Sequence, residues 1–469
     1  MLKKNITPVN NPQNIIKLKV TIMKKIIILL LFPFVVSAQK DRSKALEKYM
    51  QAQMNVKGFT GAVLVMQHDK VLLKKGYGLA NREWNVDNTA DTKFRIGSIT
   101  KQFTATCILQ LAELGKLSLN DKLSKFFPDF PKGDSVTIHM LLNHTSGIAD
   151  YTEQKEFENV ATLSWTKDSM VSFFKNKPYT HSPGTKFKYS NSGYFLLGCI
   201  IEKVSGQSYA SYIQKYIFDV LEMHNTGIDR LDSVIPMHAS GYSKQKNTIK
   251  PADIISMAWP FSAGVLYSTT EDLYKWDRSL YDTTILSAAS KQKMFTPGKG
   301  NYGYGMITDS LENHYRNWHN GGIPGFLANI SRYPNDDVCV IVLANTDIQL
   351  SNTLSISDVV ADGLAGIVFG LPVETPYVHT EVPIDPALLD RYVGKYNAFL
   401  TLEVIRKDGK LYRHRNKGTD IELKPESNTK FFYADDSDRQ LEFEVDKDGK
   451  VTKIWFINNE NRGEMKKVE

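Results

Sequence analysis

Phe94-Arg95-Ile96-Gly97-Ser98-Ile99-Thr100-Lys101-Gln102-Phe103 is the stretch on which the reading of this chain turns. A short apolar run ends at Gly97. Beyond it Phe103, Cys107, Ile108, Leu111 and Leu114 recur at helical spacing until Gly115 stops the pattern. Ser98 therefore sits at or beside the N-terminus of a buried helix, and Lys101, three positions on, shares its face. A serine hydroxyl is a poor nucleophile until a neighbouring base takes its proton, which a lysine made less basic by burial can do. The helix N-terminus also favours negative charge developing beside it. Ser-x-x-Lys alone is weak evidence, since it recurs at Ser164, Ser172, Ser243, Ser290 and Ser427. The strand–glycine–helix setting singles out Ser98.

Two further words carry chemistry. Tyr189-Ser190-Asn191 leads into a strongly apolar helix candidate, Gly193 to Val204. A tyrosine near cations can lose or share its proton in an acid–base relay, and asparagine offers both a donor and an acceptor to an amide. A plain helix cap by Ser190, Asn191 or Ser192 is an equally good reading of the same residues. His319-Asn320-Gly321-Gly322 reads as a loop just before the strand Phe326 to Tyr333. Paired glycines there let backbone approach a substrate, and a free N–H could bind an oxyanion.

In this order and rough spacing, the three words resemble those of the serine β-lactamase and penicillin-binding-protein superfamily. They are most similar to its class C branch, whose relatives include esterases and D-amino-acid-directed peptidases. Leu141-Leu142-Asn143-His144-Thr145-Ser146-Gly147, Ser182-Pro183-Gly184 and Ser262-Ala263-Gly264 resemble the family as well. The likeness spans about residues 42–370. It implies an α+β fold of the β-lactamase/DD-peptidase type: an antiparallel sheet flanked by helices, beside a helical subdomain, with the active site between them. It implies that Ser98 forms an acyl-enzyme while Lys101 and Tyr189 manage its protons. Asn191 would hold the substrate's amide, and the backbone N–H groups of Ser98 and Gly322, with Gly321 alongside, would form the oxyanion hole. His319 replaces the family's usual lysine. Histidine, with an ordinary pKa of about 6.5, is mostly neutral where lysine is charged, so a carboxylate-bearing substrate loses a permanent cation. The resemblance implies a serine hydrolase acting on a D-amino-acid peptide, a β-lactam or a small ester. The alternative is a penicillin-binding or sensing protein that acylates without efficient turnover.

The remainder of the chain bounds this reading. The net charge of +7 comes from six lysines within residues 1–38, without which 52 basic residues face 51 acidic ones. A nucleic-acid partner is thus unsupported. Met23, Lys24-Lys25, the apolar run Ile26 to Val36 and the small residues to Ala38 read as a cleavable signal peptide over 23–38. Residues 1–22 read as upstream sequence from a misplaced start, and the exported protein is expected to be periplasmic or secreted, with no stable membrane span. Cys107, Cys199 and Cys339 each lie in an apolar run and read as buried thiols. His139 and His144 have no carboxylate at ligand spacing, so neither metal nor cofactor is expected. The partner is a small-molecule or peptide substrate, with cell-wall peptides among the candidates. The hydrolase domain is expected over 39–370. A linker over 371–386 is marked by Pro372, Pro376, Pro383 and Pro386. A small antiparallel β domain follows over 387–469, similar to the lipocalin-like barrels appended to such hydrolases, with Asp408-Gly409 and Asp448-Gly449 as hairpin signals.

Overall fold

Two strands far apart in sequence carry the larger, N-terminal part of the fold. Along Gly61–Gln67, Ala62, Leu64 and Met66 enter one apolar core while Val63 and Val65 enter another. Its antiparallel partner Val338–Ala344 divides the same way, with Cys339, Ile341 and Leu343 on one face and Val338, Val340 and Val342 on the other. A period-two side-chain pattern that is apolar at every position marks a strand covered on both faces. The six-stranded sheet runs Ile307–Leu311, His314–Ile323, Phe326–Tyr333, Val338–Ala344, Gly61–Gln67, Lys70–Tyr77, with every neighbour antiparallel. The first hairpin turns at His68-Asp69, both with positive φ, as a two-residue turn of this hand requires.

This computed structural model describes residues 42–468, apart from 246–247, 351–353, 399, 416–417, 436–438 and 459–460. The expected leader and upstream segment lie outside the described residues. A helix over 42–52 and the helix Ile356–Phe369 cover one face of the sheet through Leu46, Tyr49, Val360 and Leu364. The other face packs against Thr270–Ser279, and Thr100–Glu113 and Asn191–Ser205 pack on each other within the same apolar core. Side-chain caps fix where these helices begin: Ser190 accepts from Gly193 N, Thr269 from Asp272 N and Ser355 from Asp358 N. The buried pair Arg332–Asp277, at 2.9 Å, ties the sheet to the helix Thr270–Ser279. All three cysteines are buried thiols. Among the described residues no helix is long and apolar enough to cross a membrane.

One expectation needs correcting. His319-Asn320-Gly321-Gly322 is not a loop ahead of a strand but the end of the strand His314–Ile323, which turns through Pro324-Gly325 into Phe326–Tyr333. Gly321 serves close packing: a Cβ there would stand 2.0 Å from the Ile96 carbonyl oxygen.

The C-terminal part is a closed barrel of eight antiparallel strands in sequence order, from Gly394–Asn397 to Asn461–Lys467, with Tyr396 pairing Lys467 to close it. Tyr392, Tyr396, Phe431 and Phe443 fill its interior with ring centroids 4.5–5.8 Å apart. The proline-rich segment before it is not free along its length. Val373 packs on the hydrolase core. His379 stacks on Phe432 and bonds Glu426 at 2.9 Å, and Val382 N donates to Pro425 O.

Candidate active site

Ser98 occupies a single 3-10 turn, Gly97–Ile99, that leads directly into the helix Thr100–Glu113. Gly97 takes φ +49, and a Cβ there would lie 2.9 Å from Gly322 N, so glycine alone lets this turn press against the strand end. One helical turn on, Lys101 is wholly buried. Its Nζ donates to Ser98 Oγ at 2.9 Å, to Asn191 Oδ1 at 2.8 Å and to the Ala263 carbonyl at 2.8 Å. Three acceptors match the three protons of an ammonium. Desolvation nevertheless pulls Lys101 down to about 7, against the opposing pull of Asp150. When the amine is neutral, Asn191 Oδ1 and the Ala263 carbonyl still demand its two remaining protons. The lone pair is then left facing Ser98.

Asn191 is held in that sense by Asp150, a residue with no signal in the sequence reading. Asp150 Oδ2 accepts from Asn191 N at 2.8 Å and from Asn191 Nδ2 at 2.9 Å, while Oδ1 accepts from Thr152 N and Thr152 Oγ1, both at 2.8 Å. A carboxylate accepts only, so it pins the amide nitrogen and turns Oδ1 toward Lys101. The expected role of Asn191 is therefore shifted: its oxygen serves the base, and one of its two amide protons is already engaged.

Tyr189 completes the cluster. Its hydroxyl lies toward Ser98, and Lys101 Nζ lies 4.8 Å from its ring centroid. Burial pushes Tyr189 up, beyond the ordinary phenol range, so it stands protonated as a donor and not as the phenolate that nearby cations would favour. The ring of His144 packs on it at 4.2 Å, and His144 Nδ1 accepts from Ser190 N. His144 itself has φ +57, and Phe261, two residues before the Ala263 carbonyl, has φ +34. Left-handed backbone at non-glycine residues costs energy and concentrates at functional sites. The turn through His144 also holds Lys188 N on its carbonyl, which explains why that conspicuous word flanks the tyrosine segment.

His319 is brought to the same place and is 2% exposed. Its Nε2 contacts Tyr302 Oη at 2.9 Å and its Nδ1 contacts the Asn320 carbonyl. Burial first, then the Lys101 charge, lower it to about 3, so it is neutral. Asn320 faces the other way and donates to Asp358. Strand alternation also frees Gly322: with Ile323 and Phe326 bonded across a two-residue turn, Gly322 falls at the non-bonded pair and its N–H points outward. Gly322, Ser98 and Asn191 line one pocket of about 190 Å³. The structure thus gathers the seven residues about Ser98: Ser98, Asn191 and Gly322 line this pocket, Lys101, Tyr189 and His319 lie outside its lining, and Gly321 backs the Ser98 turn.

The arrangement has recognisable counterparts. The family profile described as Beta-lactamase matches residues 46–363, and one described as a domain of unknown function (DUF3471) matches residues 379–464. Penicillin-binding protein 4* of Bacillus subtilis (strain 168) is 29% identical over 417 residues, covering 84% of this chain and 92% of that protein. A penicillin-binding protein from Bacillus halodurans superposes with TM-score 0.57 at 29% identity, over 64% of this chain and 95% of that one. An octameric penicillin-binding protein homologue from Pyrococcus abyssi superposes with TM-score 0.64 at 27% identity, over 90% and 99% respectively.

Proposed function

Because the chain belongs to the Beta-lactamase family, we propose that it is a serine hydrolase that cleaves an ester or amide through a covalent acyl-Ser98 intermediate. The observation that carries this is the 2.9 Å contact between Ser98 Oγ and a buried Lys101 whose other two partners are obligate acceptors. Ser98 Oγ attacks the carbonyl carbon as its proton passes to Lys101 Nζ. The carbonyl oxygen, now negative, is met by the N–H groups of Ser98 and Gly322, on a rigid turn and a strand end that need no reorganisation. Tyr189, held protonated, hands its proton to the leaving group as the scissile bond breaks, and takes one back from the Lys101 ammonium, which returns to the neutral amine. Water then attacks the acyl-serine as its proton passes to neutral Lys101, and Ser98 Oγ takes that proton back as the acid leaves. Two groups whose burial drives their proton affinities apart, the lysine down and the tyrosine up, suit the base and acid roles.

Intact-mass spectrometry with a fluorophosphonate, followed by peptide mapping, tests the reading. A single adduct on Ser98, absent in Ser98→Ala, is expected. Labelling elsewhere, or none, would overturn it. A benzylpenicillin adduct that persists would shift the reading toward an acylating sensor, and prompt release toward a hydrolase. Export by way of residues 23–38 belongs to the same proposal, and a mature protein beginning at Gln39 is its expected outcome.

A further inference from the structure

The pocket at Ser98 is lined by apolar and aromatic groups: Tyr151, Phe157, Ile255, Trp259, Pro260 and Ile323. Phe157 meets Trp259 edge-on at 5.2 Å, and Tyr151 lies 5.5 Å from both rings. The polar ends of these rings are turned away and satisfied, since Tyr151 Oη donates to the Trp259 carbonyl and Trp259 Nε1 to the Val160 carbonyl. Among the described residues that line it, none carries a charge; Thr152, Asn191 and backbone supply its polarity. At about 190 Å³ it exceeds the roughly 150 Å³ in which a dry apolar cavity takes up benzene.

Its side of the nucleophile decides what it holds. Tyr189, Tyr302 and His319 are absent from this pocket's lining and pack on one another instead, with ring centroids 5.6–6.3 Å apart. A leaving group must depart toward the proton donor, so it leaves on the Tyr189 side. The aromatic pocket then receives the acyl half. On the leaving-group side, His319 is neutral with both ring nitrogens engaged, and all three Lys101 protons are spoken for. Lys293 and Lys299 line a different hollow, of about 610 Å³, which shares no lining residue with the acyl pocket and meets the leaving-group side only through the buried Tyr302 that forms part of its wall.

Building on the acyl-Ser98 reading, we propose that the substrates are uncharged esters or amides whose acyl half carries a phenyl-sized apolar group, seated between Phe157, Trp259 and Ile255, and whose leaving group has no carboxylate. Acylation forms the Ser98 Oγ–carbonyl bond, breaks the bond to the leaving oxygen or nitrogen, and moves one proton onto that atom. No other co-reactant than water is required.

Four synthetic esters test this: the acetates and phenylacetates of 3-carboxyphenol and of 3-carbamoylphenol, with rates corrected for spontaneous hydrolysis. The phenylacetyl group should raise kcat/KM about 10- to 100-fold over acetyl, as full burial of an aromatic group implies. The carbamoyl leaving group should exceed the carboxyl one at least tenfold. Ile255→Asp, at a half-buried position of the pocket rim, should lower the phenylacetyl-to-acetyl ratio. His319→Lys should lower the carbamoyl-to-carboxyl ratio. Equal rates for the two acyl groups, or faster cleavage of the carboxyl esters by the wild-type protein, would overturn the proposal. Fluorophosphonate labelling of the same preparation separates the two failures. A labelled Ser98 without selectivity sinks only the substrate class, whereas an unlabelled Ser98 sinks the acyl-enzyme as well.

Discussion

Asp150→Asn is the perturbation that best probes how the base is held. The substitution keeps shape but replaces one oxygen by an amide nitrogen. Both carboxylate oxygens now accept two bonds each, at 2.8–2.9 Å, so whichever is lost sets a donor against donors. If the Asn191 side suffers, the Asn191 amide is free to rotate and offer its nitrogen to Lys101, and the lone pair loses its aim. Charge-assisted bonds of this kind are each worth about 1.5–3 kcal/mol, so losing their orienting effect should lower kcat/KM by roughly 10- to 100-fold. A second effect has the opposite benefit. One carboxamide and two hydrogen bonds separate Asp150 from Lys101 Nζ, a span of no more than about 8 Å, which at an effective dielectric near 20 gives an attraction of about 2 kcal/mol. Without it the lysine gives up its proton more readily, and the acid limb of the kcat/KM profile should move down by between about one and two pH units. Initial rates from pH 5 to 9, with thermal unfolding of both proteins as a check on folding, measure both effects. A limb that stays in place or moves up, or a rate within about twofold of wild type, would refute the network.

Other outcomes follow from the same geometry. In the wild-type protein kcat/KM should fall about tenfold per pH unit below a midpoint near 7, because Lys101 must be neutral to accept the Ser98 proton. His319 stays neutral throughout that range and adds no limb; a flat profile between pH 5 and 8 would contradict this. Gly321→Ala should cost about 100-fold or more in kcat/KM, because its Cβ would press to 2.0 Å on the Ile96 carbonyl and push the oxyanion N–H away from Ser98; near-normal rates would show that the strand can give. Arg332→Met should destabilise by about 3 kcal/mol in urea unfolding, since Asp277 is wholly buried and would keep only its weaker contact with Arg278. Adding Asp277→Asn should recover much of that loss.

The cluster of Ser98, Lys101 and Tyr189 was legible because each lies in a short word beside a strong apolar helix pattern. Ser98 and Lys101 are one helical turn apart, and Tyr189 stands just ahead of the Ser190 cap. Asp150 was not, since a single acidic residue in a turn has no period and no neighbouring pattern. Its role arises only when residues 149–152 fold across the start of Asn191–Ser205. The acyl pocket was hidden for the same reason: Phe157 and Trp259 are a hundred residues apart and meet through tertiary packing. Gly321-Gly322 misled because paired glycines usually punctuate a chain, whereas here they let two backbones touch within a strand. The hairpins of residues 387–469 do not by themselves report closure of the barrel, because closure depends on pairing the first strand with the last, which no local pattern shows.

The pairing of Gly61–Gln67 with Val338–Ala344 also governs when the enzyme can come into being. The first hairpin emerges early, yet one long edge of its inner strand has no partner until the chain has been made past Ala344. Contacts so remote in sequence form slowly, and an apolar edge left open in the meantime is a template for aggregation. The catalytic groups follow the same calendar. Ser98 and Lys101 share a helix turn from the outset, but Gly322, whose N–H we propose meets the oxyanion, arrives only with the last strands of the sheet. Hydrolytic competence is therefore a late, all-at-once event in the life of this chain, and a truncated or half-made copy carries the nucleophile without the means to use it.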